Sequence, residues 1–289
     1  MARPSRSTAR VPVQRYRDGD VRRSRDAVSL EEPLEIRVRP HGASDGVAVA
    51  VTMRTPGEDF ELVAGFLLTE GVLAAPDDVA ELTYCRSGTG PQEYNIVEAR
   101  LRPGVEIDLA RLSRNVFTSS SCGVCGKASL EALEIDGCAP LPDAGTVRLS
   151  PEVVAGLPDA LRAGQADFEH TGGIHAAALA AGDGTLDAVH EDVGRHNAVD
   201  KALATAFLAG RLPLADRALV VSGRASFEIL QKALAGGVAA VVAVGAPSSL
   251  AVDLARRFNV TLTGFTRGGG FNVYAGEARI GTADGATPS

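Results

Sequence analysis

No stretch of about eighteen apolar residues interrupts this 289-residue chain, and its first residues lack an apolar secretory core, so neither a membrane span nor export is expected. The expected compartment is cytoplasmic. Only four cysteines are present, which in a reducing compartment argues against a disulfide framework and leaves catalytic, metal-binding or inert roles for the thiols. An excess of basic charge is missing too. The formal net charge of -7 argues against broad nucleic-acid binding, while leaving room for a local pocket that holds one anion. Neither the phosphate-binding loop of nucleotide triphosphatases nor the dinucleotide fingerprint occurs.

What the chain does have is 45% hydrophobic residues, ample for a core, and a length that exceeds one usual domain. The first 25 residues carry eight arginines among few apolar residues, so residues 1–28 read as a disordered basic arm. From Pro33, two alternating β-branched runs flank a Gly-containing turn, a hairpin signal. In "TPGEDFELVAGFLLTEG" Thr55 suits an N-cap, Pro56 the first helical position and Glu58 a capping box, with Phe60, Val63, Phe66 and Leu67 as the apolar stripe and Gly71 as the stop. Strand-like runs near Val79 to Cys85 and Tyr94 to Leu101 make residues 29–140 an α+β domain that carries the cysteine loop.

Prolines and glycines around Pro140 to Pro151 break both periodicities and mark the boundary. Residues 141–280 then read as a three-layer α/β domain, with a short tail at 281–289. A helix from Ser150 to about Ala163 and a hairpin of "GIHAAALAA" with "TLDAVHE" are followed by alternating helices and strands. Parallel strands with right-handed crossovers gather their strand-to-helix loops on one sheet edge, where ligands bind. These loops are "HEDVGRHN", "SGRAS", "VGAPSS" and the strand exit "FTRGGGF". Helix N-termini, glycines and the forked donors of Arg195, Arg224 and Arg267 suit a phosphate-containing ligand, and Gly268, Gly269 and Gly270 suggest close approach or mobility. Asp192 and His196 are pocket candidates, His170 beside Gly172 and Gly173 has room to face a cleft, and His175 reads as structural.

The segment "FTSSSCGVCGKASL" places Cys122 and Cys125 three apart. Zinc, a redox pair and a sulfur-handling thiol are all open to a C-x-x-C. A structural zinc site needs four ligands, and the other thiols, Cys85 and Cys138, do not form a second pair. A thioredoxin-type pair belongs at the end of a strand in a βαβ unit, whereas this one follows serines in a loop. A helix starting near Lys127 would set a positive dipole end and an ammonium beside the sulfurs, favouring thiolate. Sulfur handling is the chemistry these residues favour.

Together "SSSCGVCGK", "EDVGRHNAVDK", "SGRASFEILQKA", "GAPSSLAVDLA" and "GFTRGGGFNVY" resemble the formate dehydrogenase accessory sulfurtransferases, the FdhD family, and "EPLEIRV" and "TPGEDFELVAGFLLTEG" fit as well. The resemblance runs from about Glu32 to Tyr274. It implies a cytoplasmic, homodimeric sulfur carrier with a cytidine deaminase-like C-terminal domain. Such a carrier takes persulfide sulfur from a cysteine desulfurase and passes it to the molybdenum cofactor, in its bis(molybdopterin guanine dinucleotide) form, before insertion into formate dehydrogenase. By the same resemblance Cys122 carries the persulfide, Cys125 supports transfer, and Phe265, Thr266, Arg267, Gly268, Gly269 and Gly270 meet the cofactor. No metal of its own is expected. Zinc deamination is set aside because the loops that would hold the metal, "HEDVGRHN" and "SGRASFE", have no cysteine. The alternative is a noncatalytic chaperone that binds cofactor and dehydrogenase, with a structural C-x-x-C.

Overall fold

The computed structural model describes residues 7–85, 93–107 and 140–281. The N-terminal half contributes a hairpin, β1 (Thr8–Arg17) and β2 (Asp20–Ser29), and a four-stranded sheet of β3 (Glu32–Arg39), β4 (Val47–Arg54), β5 (Val79–Tyr84) and β6 (Ile96–Leu101) in the order β4-β3-β6-β5. One helix, α1 (Asp59–Thr69), lies between β4 and β5 in the chain. In β3 the alternation of Leu34, Ile36 and Val38 puts three fully buried side chains on one face. They join Leu62 and Leu67 of α1 in the core.

The C-terminal half starts with α2 (Pro151–Ala163) and the short α3 (Ala166–Thr171). Then come β7 (His175–Ala180), β8 (His190–Asp192), α4 (Arg195–Leu208), β9 (Ala218–Val221), α5 (Phe227–Ala235), β10 (Ala240–Ala243), α6 (Ser249–Arg257), β11 (Thr261–Arg267) and β12 (Gly270–Ala275). The sheet order is β12-β11-β10-β9-β7-β8, with β9, β10 and β11 parallel and β7 and β12 antiparallel to their neighbours.

Strand residues sort alternately onto the two faces of this sheet. Ala176, Ala178, Val220 and Val242 pack with Leu157 and Leu161 of α2, whereas Ala177, Leu179, Leu219, Val241 and Leu262 pack toward α4, α5 and α6. The second cluster also holds Leu34, Ile36, Leu62 and Leu67, so one apolar core joins both halves through α4. Contact between α1 and α4 is close enough that a Cβ on Gly65 would run into the Asp200 carbonyl oxygen and stand 2.5 Å from its carbon. Glycine at 65 is required by that approach.

Several expectations need correction. The helix expected to begin after Thr55 starts at Asp59, with Glu58 at the cap position in a left-handed conformation (φ 53) and no side-chain cap. Thr55 is buried, and its capping groups are spent across the molecule: its N–H donates to Asp192 Oδ2 (3.2 Å) and its Oγ1 accepts from Val193 N–H (3.1 Å). Residues 8–28, read as part of a disordered arm, form with Ser29 an antiparallel hairpin in register from Thr8 and Ser29 to Arg17 and Asp20. Cross-strand backbone pairing and a left-handed Asp18-Gly19 turn supply what composition alone hides. His170, expected in a glycine-rich turn, belongs to α3, where its Nδ1 meets the Ala166 carbonyl (2.6 Å). By contrast Ser150 caps α2 as expected, its hydroxyl accepting from Val153 N–H at 3.2 Å.

Candidate functional site

The carboxyl ends of β8, β9, β10 and β11 share one edge of the six-stranded sheet, and antiparallel β7 brings its first residue, His175, to the same edge opposite Asp192. The turn after β8 leads directly into α4 at Arg195, and Ser226 and Ser248 precede α5 and α6. The loops are laced together. Val244 N–H donates to Val221 O (3.1 Å), Gly245 N–H to Gly223 O (2.9 Å), Ser248 N–H to Ala225 O (3.0 Å) and Phe265 N–H to Gly245 O (3.0 Å).

This lacing revises the role of two edge glycines. A Cβ on Gly245 would lie 3.0 Å from Gly223 O, and one on Gly264 would lie 2.8 Å from Pro247 Cδ, so these glycines serve loop-to-loop packing. Gly268, Gly269 and Gly270 differ: nothing lies within 4 Å of a Cβ built on any of them. Gly268 (φ 60) and Gly269 (φ 79) form the turn between β11 and β12, where Arg267 pairs with Gly270. Before that turn a register shift between Gly264 and Arg267 puts Phe265 in the left-handed region (φ 53) with its ring exposed. A bulky residue at positive φ stores strain that the surrounding structure must hold, and such positions cluster at ligand sites. The Arg267 guanidinium stands 5.9 Å from the Phe265 ring centroid, whereas the Thr266 side chain is buried with its hydroxyl 3.3 Å from that of Thr263. Phe265, Arg267 and Gly268 to Gly270 therefore present an exposed tip, and the Thr266 side chain turns inward.

Arg195 opens α4 directly after the turn that follows β8, and Arg224 lies in the loop after β9. The Nε of Arg195 and the Nε2 of His196 are buried with no partner among the described residues. Burial, then the charges of Lys232 and Arg195, push His196 down to about 4 against the opposing pull of Glu228. Burial and Arg195 also lower His175, against Asp192. Both rings are thus neutral near pH 7 and can accept or donate a hydrogen bond without carrying charge.

Asp192 does not orient His196. It is completely buried, and its oxygens accept from Thr55 N–H (3.2 Å), Gly194 N–H (2.8 Å) and Asn197 Nδ2 (2.9 Å), with Lys201 Nζ at 2.8 Å. It fixes the turn that aims Arg195 and His196. Sequence reasoning missed His175 as an edge residue because its apolar neighbours read as core. The available signal was its position at the very start of an antiparallel strand.

Cys122 and Cys125 lie outside the described residues, as does Cys138. The one described cysteine, Cys85, follows β5, and burial together with Glu98 pushes its thiol up, away from nucleophilic use. Among the described residues no group of three His, Cys, Asp or Glu could hold a metal ion, and no helix is long and apolar enough to cross a membrane.

Fold and edge together define a mixed α/β protein whose parallel strands end in a basic, glycine-bearing loop cluster. The model of the FdhD/NarQ family matches residues 30–281, so the chain belongs to that family. It is 52% identical over 277 residues to the sulfur carrier protein FdhD of Streptomyces avermitilis, covering 95% of this chain and 96% of that one. It is 49% identical over 261 residues to the protein of the same name from Mycobacterium tuberculosis, covering 88% and 92%. A crystal structure described as a formate dehydrogenase accessory protein from Desulfotalea psychrophila superposes with a TM-score of 0.73 over 95% of this chain and 100% of that one. At 23% identity it speaks for the fold alone.

Proposed function

We propose that this protein is a cytoplasmic sulfur carrier for formate dehydrogenase, and that it delivers persulfide sulfur to a bis(molybdopterin guanine dinucleotide) molybdenum cofactor as its substrate. The observation that carries the reading is family membership over residues 30–281, with relatives about half identical that are named sulfur carriers. Chemistry at the sheet edge agrees with it. Arg195 and Arg224 with the exposed Arg267 tip suit the pyrophosphate groups of such a ligand, and neutral His175 and His196 suit its uncharged polar edges. We read the C-terminal half as a cytidine deaminase-like layer domain, supported by its hairpin followed by alternating helices and strands. We also read the protein as working in two copies.

In this reading the Cys122 thiolate attacks the terminal sulfur of a cysteine desulfurase persulfide. One S–S bond forms as another breaks, and the desulfurase thiolate leaves, so no net electrons move. Attack of the Cys125 thiolate on Cys122 Sγ then forms a disulfide and releases the terminal sulfur as hydrosulfide, the two cysteines supplying two electrons. The test is intact mass after incubation with a cysteine desulfurase and cysteine. One added sulfur that disappears in Cys122→Ala is the expected result. No added mass in the wild type would favour a noncatalytic cofactor-binding chaperone.

A further inference from the structure

Hairpin β1–β2 sits apart from the core and has two unlike faces. Its register puts Arg10 opposite Ala27, Pro12 opposite Arg25, Gln14 opposite Arg23 and Tyr16 opposite Val21, and alternate residues share a face, so one face carries three arginines and no acid. The other face neutralises itself in part, with Arg15 to Asp26 at 3.1 Å and Arg22 to Asp20 at 3.9 Å. Arg10, Arg23 and Arg25 have no ion pair among the described residues. At the tip Tyr16 is 72% and Val21 54% exposed.

Among the described residues, the side-chain hydrogen bonds that tie the hairpin to the rest of the chain lie at its base. Ser7 Oγ donates to Asp167 Oδ1 at 2.7 Å, and the Ser29 and Thr171 hydroxyls meet at 2.8 Å. A lone two-stranded hairpin in water is marginal, and apolar side chains at its tip gain from cover. What covers it must be acidic where the three arginines land.

The rest of the chain has that character. Residues 30–289 hold 21 basic and 33 acidic side chains, and residues 55–85 contain seven acids with no lysine or arginine. Within that stretch Glu58, Asp77 and Glu81 are exposed, with Glu81 also 3.2 Å from Arg100.

We propose that the basic face of the hairpin clasps the acidic surface around Asp77 and Glu81 of a second copy of this chain, with Tyr16 and Val21 supplying the apolar contact. The clasp is reciprocal in a two-fold dimer, since each copy offers one hairpin and one acidic surface. It rests on the two-copy reading above and names the surface that reading lacks.

Sedimentation velocity of the full chain tests it, for the wild type, the triple variant Arg10→Glu, Arg23→Glu, Arg25→Glu, the pair Asp77→Lys, Glu81→Lys, and an equimolar mixture of the two variants. Expected is a wild-type dimer that weakens between about 0.05 M and about 0.5 M salt. Each variant alone should dissociate at least about tenfold more readily, with unchanged circular dichroism, and the mixture should recover association. A wild-type monomer at every concentration overturns both the two-copy reading and the clasp. A dimer indifferent to the triple variant, or a mixture that stays monomeric, overturns the clasp alone. Retention of a short DNA duplex by the wild type but not the triple variant at about 0.15 M salt reassigns the hairpin to nucleic acid and overturns it as well.

Discussion

Replacing Gly65 with alanine separates two accounts of α1 by the sign of the result. By intrinsic propensity an alanine in a helix interior stabilises by about 1 kcal/mol over glycine. In this fold the new Cβ would be driven into the Asp200 carbonyl oxygen, 2.5 Å from its carbon and 2.9 Å from its Cα, all backbone atoms that cannot rotate away. Relief requires α1 and α4 to separate. That separation loosens Leu62 and Leu67 against Ala198 and Leu203 and stretches the bond from Thr69 Oγ1 to Asp200 Oδ1 (3.0 Å). Overpacking a tight site costs about 3 kcal/mol at the upper end, which leaves a net loss of about 2 kcal/mol. For a chain of this size that lowers the melting temperature by about 4 °C. Urea unfolding and a thermal melt of Gly65→Ala measure it, and a variant as stable as the wild type or more so would refute the close-approach argument.

Three further outcomes follow from the same geometry. Because the folded state holds His196 neutral down to about 4, only the unfolded chain takes up that proton between about pH 6.5 and 4. His196 and the likewise lowered His175 thus contribute stability that is complete above about pH 6.5 and is lost as pH falls, and the urea midpoint of His196→Gln should decline less steeply over that window. Under the cofactor role proposed above, Arg267→Ala, at an exposed turn, should weaken binding of a guanine nucleotide by about tenfold while leaving the melting temperature unchanged, read by calorimetry, and unchanged affinity would remove Arg267 from the proposed site. Ser150→Ala removes the α2 cap and should cost about 1 kcal/mol in urea unfolding.

Where local chemistry decides structure, the sequence was readable. Ser150 and Pro151 start α2 because a hydroxyl acceptor and a ring-fixed φ act within one turn. Thr55 was misread because a distant partner, Asp192, outbids the local cap. The basic hairpin was misread because composition measures how much apolar surface can be buried and says nothing of register. At the candidate edge, the loops bearing Arg195, Arg224 and Arg267 were legible from strand-to-helix alternation. The strained Phe265, the inward Thr266 and the buried His196 Nε2, without a partner among the described residues, were not, since each depends on a bulge or a neighbour that periodicity cannot encode. The thiols Cys122 and Cys125 rest on sequence alone.

Adjacent residues of α4 also bear on whether residues 141–281 can stand by themselves. Asp200 takes Lys232 Nζ at 2.7 Å and Thr69 Oγ1 at 3.0 Å, while Lys201 reaches Asp192 at 2.8 Å and the Thr55 carbonyl at 3.5 Å. Each buried charge thus pairs within the C-terminal half and is further satisfied by a group from the N-terminal half. Removing residues 1–140 leaves Lys232 and Asp192 in place but takes away Thr69 and Thr55, and it uncovers Ala198, Val199, Ala202 and Leu203 where α1 had excluded water. Buried ion pairs are stabilising only while their remaining hydrogen bonds are met, and an apolar helix face opened to water forfeits about 25 cal/mol per Å². The expected result for a chain of residues 141–281 is retained far-ultraviolet circular dichroism, lost near-ultraviolet signal and dye binding to exposed apolar surface. A single cooperative unfolding transition with an intact near-ultraviolet spectrum would show instead that α4 does not need its cover, and that the core shared through it is two cores in contact.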